Sequence, residues 1–159
     1  MQDPSEVILR PSLQSARANT IHQMIKTEWQ TQWNTGKNTA CQLRNITKAT
    51  NSSTGHQLYQ SLGNNRKHIA WIARLRTGHC SLNHYLHRMR LVDEKTCECG
   101  EGEETVKHFL LVCTKYKEQR MELRKKVGAR GMKVERLLGD KKLIRHTLEF
   151  VEETNRFEF

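Results

Sequence analysis

The sequence predicts a small, mainly α-helical domain with little or no β-sheet. Apolar residues recur at three- and four-residue intervals in five segments. No Asn-Gly or Asp-Gly hairpin turn and no convincing alternating strand accompanies them. A third observation adds a condition. Only 36% of the 159 residues are apolar and 28% are charged, so the core is thin and calls for a staple such as a metal or a partner.

The elements follow in order. Over 13–33, Ile21, Met24, Ile25, Trp29 and Trp33 fall on one helical face and Gly36 stands where the helix would stop. Residues 38–55, rich in Asn, Thr and Ser without periodicity, read as a loop or short irregular connection. A second helix is predicted over Arg66–Thr77, with Ile69, Ile72 and Leu75 on one face, Lys67, Trp71 and Arg74 on another, and Gly78 as its stop. Ser81 is the expected N-cap of a third, in which Leu82, Tyr85, Leu86 and Met89 repeat. Thr105 begins a fourth, with Val106, Phe109, Leu110, Cys113 and Tyr116 on its apolar side and a charged run from Lys115 to Lys126 beyond. A turn around Val134–Gly139 and a last helix through Leu143, Ile144, Leu148 and Val151 close the chain. The segments are 1–36 (long amphipathic helix), 37–96 (basic helical segment), 97–127 (Cys/His segment and helix) and 128–159 (helical tail), expected to form one folded unit.

Charge is distributed unevenly. The chain carries 27 Lys and Arg against 17 Asp and Glu, a formal charge of +10. No acid occurs between Trp29 and Val92, where Lys37, Arg44, Lys48, Arg66, Lys67, Arg74, Arg76, Arg88 and Arg90 lie. The remainder is nearly neutral. Such a field suits a polyanion, because each neutralised phosphate releases counterions; the plainer reading is a solvated basic face with no ligand. The expected phosphate contacts are Arg66, Lys67, Arg74, Arg76, Arg88 and Arg90, with Trp71 or Tyr85 as stacking groups. Five cysteines are too few for a disulfide scaffold, no apolar run approaches a membrane span, and the acidic Met1-Gln-Asp-Pro-Ser-Glu start lacks the basic flank of a signal peptide. An intracellular setting, cytoplasmic or nuclear, is expected.

Cys97, Cys99, His108 and Cys113 have the spacing C-x-C-x8-H-x4-C within TCECGEGEETVKHFLLVC. Zinc takes thiolate and imidazole tetrahedrally, so a cysteine pair on a Gly-containing turn plus two ligands from a following helix makes a workable cage. His108 and Cys113 are five residues apart, about 140° around an ideal helix, so a regular helix cannot aim both at one ion. A helix distorted, or tightened in its first turn, is therefore predicted near the site. Four protein ligands close the coordination sphere, which favours a structural over a catalytic zinc. Glu103 and Glu104 then read as acids favourable to the dipole of the helix that follows. Cys41 and Cys80 read as free thiols, and a second metal set of His79, His84 and His87 is disfavoured.

The run IARLRTGHCSLNHYLHRM, then CECG, then ETVKHFLLVC with Tyr116 and Arg120 beyond, closely resembles the C-terminal CCHC region of non-LTR (LINE-type) retrotransposon polyproteins. Trp29, Trp33 and the closing LEFVEETNRFEF also look like that region. The resemblance implies that Cys97, Cys99, His108 and Cys113 ligate zinc in a zinc-knuckle-like element that assists nucleic-acid binding. The Tyr-x-Asp-Asp polymerase core is absent, as is a dispersed acidic quartet in the basic half, so neither polymerisation nor ribonuclease H cleavage carries over. The spacing also departs from the retroviral knuckle C-x2-C-x4-H-x4-C.

Two function classes follow. One is a non-enzymatic nucleic-acid-binding module, for RNA or DNA, pinned by zinc. The other is a repurposed protein-interaction module, such as a fungal effector recognised by a host receptor. The apolar faces of the first and last helices would also serve a homodimer. No membrane partner is expected, and no paired carboxylates at a suitable spacing suggest an enzyme.

Overall fold

The computed structural model describes residues 13–35, 44, 46, 60, 62–63 and 65–157. The chain divides into two compact units, Met1–Lys37 and Asn38–Phe159. In the first, α1 (Leu13–Thr35) forms where the apolar spacing predicts it. Its apolar residues Ile21, Met24, Ile25 and Trp29 are exposed. Of the expected loop over 38–55, most lies outside the described residues, but Arg44 and Ile46 are helical and Ile46 packs against the core.

In the second unit, α2 spans Arg66–Thr77. Asn65 caps it: the Asn65 Oδ1 accepts from the Lys67 and His68 amides at 3.1 and 3.3 Å, satisfying two of the amides that a helix start leaves orphaned. Gly78 ends it at φ 75°, a left-handed conformation that glycine adopts without steric penalty. The next helix, α3, covers Asn83–Arg88. Ser81 is not its cap. Leu82 precedes the helix in extended conformation with no side-chain cap of its own, and the Asn83 amide instead donates to Glu104 Oε2 at 2.7 Å.

The predicted fourth helix is not continuous. A single π-helical turn, His108–Val112, is followed by an extended Cys113 (φ −49°, ψ 121°) and a 3-10 turn, Thr114–Tyr116. The charged run then forms a helix of its own, α4 (Lys117–Gly131), broken by a kink at Gly128 (φ 70°, ψ 167°). The tail adds α5 (Val134–Gly139) and α6 (Ile144–Glu153). Among the described residues the one β-pairing is an isolated antiparallel bridge between Thr96 and Glu103, so the fold is helical as predicted. No helix among them is long and apolar enough to cross a membrane.

The core lies where α6 packs on α2, α4 and α5. Ile144, Leu148, Phe150 and Val151 of α6 meet Ile72, Leu75, Leu123, Leu137 and Leu138, all buried. Each such side chain contributes roughly 1.5–3 kcal/mol on leaving water. Polar groups that enter this core are satisfied. The α5 carbonyls of Leu137 and Leu138, which lack helical partners, accept from Thr147 Oγ1 at 2.8 Å and Arg76 Nε at 2.9 Å.

Phe109 links this core to the Cys/His segment. Its ring lies edge-on to Tyr116 and Phe157, with centroids 5.4 Å away in both cases, and tilted against Phe150 at 5.3 Å. These are favoured aromatic geometries. The residue beside Phe109 is His108, so the turn that carries it is anchored by the aromatic cluster.

Candidate metal centre

The site is built from a tight loop and a distorted helix. Residues Lys95 to Glu104 fold back on themselves: the Cys97 amide donates to the Gly102 carbonyl at 2.8 Å, the Gly100 amide to the Cys97 carbonyl at 2.9 Å, and the Glu104 amide to the Lys95 carbonyl at 2.9 Å. Gly100 (φ 77°) and Gly102 (φ 148°) supply the backbone conformations this reversal needs, which side-chain-bearing residues rarely adopt. Cys97 and Cys99 sit on this loop. Across it, Lys115 pairs with Glu98.

His108 and Cys113 come from the π turn. The Cys113 amide donates to the His108 carbonyl at 2.8 Å, an i→i+5 bond that aligns residues five apart. The expected distortion is therefore present, as a widening of the helix rather than a tightening. Thr105 Oγ1 accepts from the His108 amide at 3.1 Å and caps the segment. At the far end Arg120 donates through Nε to the Leu110 carbonyl at 3.2 Å and through Nη2 to the Cys113 carbonyl. Carbonyls that lose helical partners at this break are thereby satisfied.

The four ligand atoms lie within 4.8 Å of one another. Cys97 Sγ and Cys113 Sγ are 3.6 Å apart, and Cys99 Sγ is 3.2 Å from His108 Nε2. A tetrahedral cage with metal–sulfur bonds of about 2.3 Å has sulfur–sulfur edges of about 3.8 Å, so the residues fit a metal ion. Cys97, His108 and Cys113 are buried and Cys99 is half-buried. Among the described residues no second group of this kind forms: His84 pairs with Glu103 at 3.0 Å, and His79 stacks on Tyr85 at 5.0 Å.

The thiols differ in acidity. Burial pushes Cys97 up to about 12, aided by the neighbouring Cys113 and Cys99 thiols and opposed by the Cys99 amide. Burial also works against ionising Cys99, yet hydrogen bonds from the Glu101 amide and from the Cys97, His108 and Cys113 side chains overcome it and hold Cys99 at about 6. Cys113 is raised, chiefly by burial. Burial thus favours the protonated form at Cys97 and Cys113 while hydrogen bonds favour the thiolate at Cys99, and a bound cation would favour the thiolate at all three.

Glu104 joins this centre to the rest of the fold. It is buried and accepts Arg156 Nε at 2.8 Å, Arg156 Nη2 at 2.7 Å and the Asn83 amide at 2.7 Å. Its charge therefore serves the start of α3, not the helix after Thr105 as the sequence suggests. Glu103 pairs with Lys95 and His84. The sequence reading missed Arg156 as a partner because it lies 52 residues from Glu104, and missed that role of Arg120 because spacing does not reveal which carbonyls the helix break leaves open.

The expected basic contacts divide into two sets. Arg66, Lys67 and Arg74 on α2 and Arg88 and Arg90 at the end of α3 are exposed. Trp71, 3% exposed, belongs to the core, with Lys67 Nζ over its ring at 4.7 Å. Arg76, 7% exposed, is held by the Leu138 carbonyl. A buried indole has no face to offer a base, and a guanidinium used to satisfy a helix end is withdrawn from phosphate, so Trp71 and Arg76 leave the expected set. Tyr85 is half-buried, with the Arg88 guanidinium 5.1 Å from its ring.

Comparison with known proteins gives a partial likeness. A stretch of 46 residues is 37% identical to the retrovirus-related Pol polyprotein from type-1 retrotransposable element R1 2 of Nasonia vitripennis. It covers 29% of this chain and 11% of that protein, so the chain matches only a small part of its relative. No family model matches the chain. No solved structure matches it either.

Proposed function

We propose that a four-residue Cys/His centre beside a basic stretch of sequence without acids makes this chain a non-enzymatic nucleic-acid-binding module related to part of a retrotransposon polyprotein. The observation that supports it best is the pairing of that centre with Arg66, Lys67, Arg74, Arg88 and Arg90, all exposed on a stretch with no carboxylate. The metal is zinc, since three thiolates and an imidazole are its preferred donors. When bound, it supplies a rigid cross-link and no reactive position. The chain's own residues do the rest: Glu104 transmits the loop's position to α3, and α2 and α3 present cations to the phosphate backbone.

Electrophoretic shift with single-stranded RNA and DNA and with duplex DNA, each at two or more salt concentrations, tests this. If all five exposed cations contact phosphate, the log–log salt slope is roughly −4.5 on duplex DNA and roughly −3.5 on single strands. Absence of binding at low salt, or binding indifferent to salt, contradicts it.

The exposed apolar residues Ile21, Met24, Ile25 and Trp29 of α1 favour a second reading, a protein-interaction surface. Capture of a specific protein that survives nuclease and high salt supports that reading over the first.

A further inference from the structure

Resting on the nucleic-acid-binding reading above, we propose that the end of α3 is a site for unpaired strands, where a cationic hollow seats a phosphate while Met89 and Leu91 meet base faces. The hollow, about 650 Å³, is lined by His84, His87, Arg88, Arg90, Asp93 and Lys95. Lys95 pairs with Glu103, and His84 bonds the same carboxylate. Among the described residues neither Arg88 nor Arg90 has a carboxylate partner. Part of the charge on Arg88 offsets the carbonyl end of α3. Lys95 is matched by Glu103 and the lining holds one carboxylate, Asp93, so Arg88 and Arg90 together leave the hollow a small excess of positive charge for an anion.

The backbone turns sharply at the rim. The Arg90 amide donates to the His87 carbonyl and the Leu91 amide to the Leu86 carbonyl, both at 2.9 Å, with Arg90 at φ 58°. This is the Schellman helix ending, whose left-handed position glycine normally fills and whose following apolar residue normally packs back on the helix. Neither holds here. An arginine occupies the strained position, and Leu91 is left 70% exposed beside a Met89 that is 51% exposed. Strain of this kind is concentrated where a side chain is aimed at a ligand.

The run Arg88-Met89-Arg90-Leu91 alternates cation and apolar group, which matches the alternation of phosphate and base along a strand. Base faces are accessible in a single strand and sequestered in a duplex, where inserting an apolar side chain first requires unstacking a step. An anionic lipid surface fits less well, because two side chains on a turn bury too little for membrane attachment.

Fluorescence anisotropy with the full chain, loaded with zinc, against a labelled 20-nucleotide single strand and its blunt duplex tests this. The wild type favours the single strand by about tenfold, and Met89→Ser with Leu91→Ser removes that preference while leaving duplex affinity within about twofold. Both side chains are exposed, so the double variant keeps its fold and metal content. Arg90→Gly relieves the left-handed strain, so it raises the melting temperature while weakening binding to the strand; a merely structural Arg90 does not separate the two. Equal affinity for strand and duplex, unchanged in the double variant, overturns the single-strand site and leaves the nucleic-acid reading standing. Failure to bind either overturns both, and Leu91-dependent binding to phosphatidylserine vesicles without strand binding assigns the rim to lipid instead.

Discussion

Glu104→Gln removes one negative charge from the junction between the metal loop, α3 and the C-terminal turn. The wild-type carboxylate accepts three hydrogen bonds, two from Arg156 and one from the Asn83 amide. The amide keeps one acceptor oxygen and turns its NH2 toward donors. Breaking a buried pair from one side costs about 3–5 kcal/mol. The Arg156 side chain retains 21% exposure, so water screens part of the loss and about 2–3 kcal/mol remains. For a folded unit of this size that is a fall in melting temperature of roughly 8–12 °C. Thermal unfolding followed by circular dichroism reads it, and hydrogen exchange at the Asn83 amide shows loss of protection. Replacing both partners, Glu104→Met with Arg156→Met, restores most of the stability, because no charge is left stranded. A single-variant shift under about 2 °C, or a double variant no better than the single, refutes the assignment of this pair as the structural link.

Two further predictions concern the same region. Phe109→Ala removes the ring around which Tyr116, Phe150 and Phe157 pack and lowers unfolding free energy by about 3–5 kcal/mol in urea titrations, with weaker metal retention. Chelation frees the loop, so Cys97 and Cys99 alkylate much faster in chelated than in zinc-loaded protein; peptide mapping after iodoacetamide treatment with and without chelator reads the difference, and equal rates contradict it.

The helices were legible where local chemistry fixes them. Asn65 and Gly78 bracket α2 because capping and left-handed closure are decided within a few residues, and the sequence bounds match the structure. The convergence of Cys97, Cys99, His108 and Cys113 on a group that could hold a metal was legible from residue type and spacing, and the five-residue gap from His108 to Cys113 announced a distortion. Its form, a π turn ending at an extended Cys113, depends on Arg120 and on the aromatic packing around Phe109, which spacing does not encode. Glu104 was misassigned for the same reason: its partners stand 21 and 52 residues away, so the local rule placing acids at a helix start named the wrong helix. Trp71 and Arg76 show the limit of charge and aromatic content as guides to a surface. Both lie on a basic helix, yet core packing and an orphaned carbonyl claim them. In α1 the periodicity identified an apolar face correctly, but periodicity does not say what covers it.

The claim on which the rest depends is that a metal ion held by Cys97, Cys99, His108 and Cys113 fixes the loop to the π turn and so holds α3 in place. Elemental analysis of the purified chain, with Cys97→Ser and His108→Ala beside it and circular dichroism before and after chelation, tests it directly. The expected result is one zinc per chain in the wild type, its loss in both variants, and a fall in helix content and stability of several kcal/mol when the metal leaves. Equal metal content in all three proteins, or a chelated wild type that melts as cooperatively and at the same temperature as the loaded one, contradicts it.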